Sequence, residues 1–69
     1  MAIGANIKAL RERFGYTQNE LAELTGISQP LIWYYESAKK TPSVVNAEKI
    51  AKVFDVTIEE LMYGKGENA

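Results

Sequence analysis

The stretch TQNELAELTGISQPLIWYYES, residues 17–37, decides how this chain is read. Thr17 is a good N-cap, and Glu20 three residues later completes a T-x-x-E capping box. Leu21, Ala22 and Leu24 give the helix that follows an apolar side. Gly26 stands where the chain must leave that helix through a permissive backbone conformation. Ile27 is apolar and fits under the turn. Ser28 is a second N-cap, and Pro30 falls in the first turn of the next helix, where a missing N–H does little harm. Ile32 and Tyr35 then recur at i and i+3 and share one face. The spacing predicts a helix, a tight glycine-containing turn and a second helix.

Working outward, Ile3, Ile7, Leu10 and Phe14 form one apolar stripe of a preceding helix, which Gly15 ends. Tyr16 suits the apolar position before the Thr17 cap. After the central stretch, Pro42 biases Thr41 away from helix, so AKKTPS is a loop. Ser43 caps a fourth helix with Val44, Ala47, Ile50, Ala51 and Phe54 apolar, and Asp55 leaves it. Thr57 and Glu60 make a second capping box, opening a short fifth helix with Ile58, Leu61 and Met62 apolar, ended by Gly64. Residues 65–69 are expected to be a flexible tail. Neither strand-like alternation nor an internal repeat is present. The expectation is an all-α domain of five helices over residues 1–64.

Composition narrows the function. The 69 residues are 46% hydrophobic and 25% charged, which suits one small globular domain. There is no Cys and no His, so disulfides, thiolate nucleophiles, Cys/His zinc sites and histidine acid–base chemistry are excluded. Neither a metal site nor a cofactor is expected. No nucleophile–base constellation stands out, and so small a bundle has little room for a deep pocket, so an enzyme is not expected. No apolar run approaches the ~18 residues that span a bilayer, and residues 1–20 lack a signal-peptide pattern, so a cytoplasmic protein is expected. Net charge is −1, which counts against a strong non-specific hold on nucleic acid. The distribution matters more than the sum. Lys8, Arg11, Arg13, Lys39 and Lys40 flank the central stretch, whereas Asp55, Glu59, Glu60 and Glu67 gather near the end.

The run TQNELAELTGIS, then I-x-x-Y-E, K-x-x-P-S and EKIAKVFDVTIEEL, resembles the lambda-repressor-like helix-turn-helix regulators, which include Cro-type phage repressors and regulators of the xenobiotic-response-element type. The similarity covers about residues 3–63. The resemblance implies sequence-specific binding to double-stranded DNA, commonly by a homodimer on a near-palindromic operator, with the third helix in the major groove. The positions matching the family's base-reading face are Ser28, Gln29, Pro30, Trp33 and Tyr34. Gln29 is the first choice for base readout, since its amide offers a donor and an acceptor side by side, matching adenine N7 and N6. Trp33 and Tyr34 depart from the polar residues usual in the family. Three readings stay open for them: packing on thymine methyls and sugars, ordinary partly buried packing, or a patch for a protein partner.

Phosphate contacts are implied for Thr17, Gln18, Arg11, Ser37, Lys39, Lys40 and Ser43. Thr17 and Gln18 also stand at a helix N-terminus, which attracts anions. Arg11 and Glu36 match an ion pair of some relatives. Ala38 stands where the family often has Gly; a left-handed backbone there costs about 1 kcal/mol against Gly. Helix five carries a surplus of apolar groups, and Ile58, Leu61, Met62 and Tyr63 are candidates for a dimer interface. The expected function is a DNA-binding transcriptional regulator, acting as a repressor by operator occupancy. The alternative is a protein-interaction adaptor or the antitoxin of a toxin–antitoxin pair, for which the tail offers little length.

Overall fold

The computed structural model describes residues 3–64, and all their regular structure is helical: α1 (Ile3–Arg13), α2 (Gln18–Thr25), α3 (Gln29–Glu36), α4 (Val44–Phe54) and α5 (Ile58–Tyr63). The expected tail, residues 65–69, lies outside the described residues.

Caps set the boundaries. The Thr17 hydroxyl accepts from the Glu20 amide at 3.0 Å, and the Glu20 carboxylate accepts from the Thr17 amide at 2.7 Å. Thr57 and Glu60 repeat the pattern at 3.0 and 2.9 Å. Ser43 Oγ accepts from the Asn46 amide at 3.1 Å. Each such bond satisfies an amide that has no partner within its helix. Gly26 leaves α2 in the left-handed region with φ 76°, its N–H donating to the Ala22 carbonyl. Ser28 occupies the N-cap position of α3 with extended backbone, but its hydroxyl makes no capping bond.

Each helix contributes one side chain of 0% exposure to the centre: Ile7, Leu21, Ile32, Ile50 and Leu61. Ile3, Leu10, Ile27, Tyr35, Ala47, Ala51 and Phe54 are buried around them. α1 packs against α3 and α5, α2 against α3 and α4, and α4 against α5. Gly4 lets α1 approach α3 closely, because a Cβ there would overlap the Tyr35 carbonyl oxygen. Two side-chain bonds tie the helices further. Asn46 Nδ2 donates to the Tyr35 hydroxyl at 2.9 Å, and Asn6 Nδ2 donates to the Leu61 carbonyl at 2.8 Å.

Three expected core positions are corrected. Phe14 lies beyond the end of α1 and is exposed, its ring resting edge-on against Phe54 at 5.0 Å. Leu24 is exposed, and Thr25 is buried instead. Threonine can occupy that place because its hydroxyl donates to the Leu21 carbonyl at 2.8 Å and accepts from the Ile27 amide at 3.2 Å. Val44 is exposed too: it begins α4, and the first turn there turns Asn46 and Ala47 inward instead.

Ala38 takes the left-handed conformation with φ 61°. Ala38→Gly is therefore expected to raise the unfolding free energy by about 1 kcal/mol, read from the urea midpoint. An unchanged or lower midpoint would show that the strain is not there.

Candidate nucleic-acid interface

The surface formed by α2, the turn and α3 rests on a largely buried ion pair. Arg11 Nε donates to Glu36 Oε2 at 2.7 Å, and Nη2 donates to Oε1 at 3.1 Å. The side chains are 12% and 4% exposed. Nη1 donates to the Tyr16 carbonyl at 2.7 Å, so one guanidinium holds the start of α2 and the end of α3 against α1. The hydrogen bonding to Glu36 raises the pKa of Arg11, burial opposes it, and charge attraction from Glu36 and Glu12 adds to it. A raised basic pKa gives stability that is complete below the ordinary arginine value and is lost only above it. The arginine thus contributes no pH dependence near neutrality.

The pair also orients two amides. Gln18 and Gln29 are the first residues of α2 and α3. A carboxylate can only accept, so Gln18 turns its NH2 group to Glu36 Oε1, at 3.0 Å. Its oxygen then faces Gln29, which donates from Nε2 at 2.8 Å. Among the described residues the second Nε2 proton and the Oε1 carbonyl of Gln29 are left over, a donor beside an acceptor. That is the pattern complementary to the adenine edge in a major groove.

The outward side of α3 continues from Gln29. Ser28 and Pro30 are exposed, and Ser28 keeps its hydroxyl available. Trp33 and Tyr34 are 44% and 38% exposed, so each ring keeps one part packed and presents another outward. Their rings meet edge to face, with centroids 5.3 Å apart at 72°. Lys40 Nζ stands 5.3 Å from the Tyr34 ring centroid, a cation–π contact. Ser37, Lys39 and Lys40 are exposed where the chain leaves α3. Between Ser28 and Ser37 the single acid is Glu36, neutralised by Arg11 and turned inward.

The remaining expected contacts divide. Thr17 and Ser43 are exposed at the starts of α2 and α4, each hydroxyl already accepting a capping bond. Arg11 spends three of its five N–H groups on protein oxygens, which makes it chiefly a brace. Leu61 is corrected outright: it is wholly buried within its own chain and has no surface to offer a dimer partner. Ile58 and Met62 are half-buried against the core, and Tyr63 is exposed. The sequence reading missed the link between the two glutamines and the part Glu36 plays in it. The available signal was that both glutamines directly follow an N-cap.

A family model described as helix-turn-helix matches residues 7–61. The transcriptional regulator YgzD of Bacillus subtilis, described as helix-turn-helix-type, is 36% identical over 62 residues, covering 90% of this chain and 94% of the relative. The solved N-terminal DNA-binding domain of SinR from Bacillus subtilis superposes with a TM-score of 0.85 at 36% identity, over 94% of this chain and 96% of that one. SinR solved in complex with DNA gives 0.82 at 36% identity, over 87% and 97%. The restriction-modification controller protein C.AhdI from Aeromonas hydrophila gives 0.82 at 30% identity, over 87% and 91%.

Proposed function

The chain belongs to the helix-turn-helix family of transcriptional regulators, and we propose that it acts as a repressor, occupying a double-stranded operator and excluding other proteins from it. The observation that carries the proposal is the relay from Arg11 through Glu36 and Gln18 to Gln29, which presents an oriented amide at the start of an exposed helix. Its solved relative SinR is seen in complex with DNA. In the proposed complex α3 lies in the major groove. Ser28, Gln29, Pro30, Trp33 and Tyr34 face base edges. Thr17, Gln18, Ser37, Lys39, Lys40 and Ser43 face the sugar-phosphate rails, with Arg11 behind them. No catalytic role is part of the proposal. No helix among the described residues is long and apolar enough to cross a membrane, and the proposed site of action is the cytoplasm.

A homodimer on a near-palindromic operator extends the proposal. Tyr63, with the outer edges of Ile58 and Met62, is the surface proposed for it, and two recognition helices then stand about 34 Å apart, one turn of B-DNA. Selection of bound sites from a random DNA library tests binding, half-site spacing and symmetry together. Failure to enrich any sequence, or an affinity indifferent to salt, would remove the proposal.

Lys40 gives a separate expectation. If it meets a phosphate, Lys40→Ala weakens binding to every sequence alike. It also lowers the slope of log affinity against log salt by about 0.9. A loss confined to one operator sequence would instead make Lys40 a base-reading residue.

A further inference from the structure

We propose that Trp33 and Tyr34 form a preassembled reader of thymine C5-methyl groups, and that the operator positions beneath α3 are therefore A·T pairs. This rests on the DNA-binding reading above and names the bases it is directed to.

The inference begins with what the outward side of α3 lacks. Guanine is read best by the paired donors of Arg or Lys, and cytosine N4 by a carboxylate. From Ser28 to Ser37 there is no Arg or Lys, and the one carboxylate is bonded to Arg11 and Gln18. The lysines follow the helix, and Lys40 is held against Tyr34. The charged chemistry that reads G·C pairs best is thus missing from the helix and confined to its flank, where phosphates run.

What the surface offers instead is apolar and fixed. The indole has one N–H donor and no acceptor. The edge-to-face contact with Tyr34 holds both rings, and Lys40 covers part of the Tyr34 face. Aromatic side chains already held in place lose little conformational freedom on contact. The major-groove edge of thymine is the one base edge that carries a methyl group, and apolar side chains meet it there. Trp33 follows Gln29 by four residues, roughly 6 Å along the helix, about two base steps from the pair Gln29 faces. The two readers therefore take pairs about two steps apart within one half-site.

The test uses the full chain and synthetic duplexes built on a library-selected operator. Replacing thymine by uracil at the pairs under Trp33 and Tyr34 removes only the methyl and leaves every hydrogen-bonding group in place. Binding is expected to weaken about fourfold per methyl lost. Placing 5-methylcytosine in a C·G pair at the same position puts a methyl back and should bind more tightly than unmodified C·G by a similar factor. Trp33→Ala should lose most of this methyl sensitivity, whereas Tyr34→Phe, which keeps the ring, should retain it. The duplex comparisons need no variant, so a misfolded variant leaves the test standing. Specific binding with G·C pairs beneath α3, or equal affinity for thymine and uracil, overturns methyl reading and leaves the regulator reading intact. Binding to no sequence overturns both. Unchanged DNA affinity in Trp33→Ala, together with loss of a stoichiometric protein partner, assigns the rings to protein contact and overturns the inference.

Discussion

Arg11→Ala is expected to lower the unfolding free energy by about 3–5 kcal/mol, measured by urea denaturation. The substitution leaves the Glu36 carboxylate, 4% exposed, without its countercharge. It also strips the Tyr16 carbonyl of its donor. A domain of this size has on the order of 5 kcal/mol to lose, so much of the variant should be unfolded at 25 °C. The size of the loss comes from the uncompensated charge, not from the worth of the pair. Replacing both partners by apolar residues, Arg11→Met with Glu36→Leu, should therefore recover most of the stability. It should not recover the base preference set by Gln29, because Gln18 then has no carboxylate to turn its amide. An Arg11→Ala loss below about 1 kcal/mol would mark the pair as solvated and deny it the bracing role.

Gln29→Ala is expected to cost about 1–3 kcal/mol of operator affinity, roughly 5- to 150-fold, and to relax preference at a single base pair. The reason is orientation. Gln18 takes one Nε2 proton of Gln29 and so fixes the plane of the amide that carries the other proton and the oxygen. Gln18→Ala should then produce part of the same loss of preference, and the two substitutions should be non-additive in a double-mutant cycle. Equal weakening on every sequence would reduce Gln29 to a backbone contact. Additive effects would show that the relay does not transmit orientation.

The sequence was most informative where chemistry is local. Thr17 with Glu20, Thr57 with Glu60, and Gly26 fix helix ends through neighbours within a few residues, so the five helices are readable without coordinates. Periodicity was less reliable at helix ends. Leu24 and Val44 have suitable spacing, yet burial depends on which side of the turn another element reaches. Thr25 went unnoticed because its polarity is cancelled by bonds that exist only once the turn has formed. Leu61 looked like a surface residue because α5 has more apolar groups than one stripe needs, and spacing alone did not say which of them the core takes. The relay lay furthest from view. Arg11 and Glu36 are 25 positions apart, and Gln18 and Gln29 are 11 apart, so their connection is a product of packing.

The proposed insertion of the outward side of α3 into a major groove is tested most directly by titrating 15N-labelled protein with its selected operator and following backbone and side-chain amide resonances. The largest changes should fall on the side chains of Gln18 and Gln29 and on the amides of Ser28–Ser37, with smaller ones at Lys39, Lys40 and Ser43. Gly64 and the outer side of α1 should remain nearly still. Strongest perturbation on α1 or the middle of α4, with the Gln29 amide undisturbed, would contradict that placement.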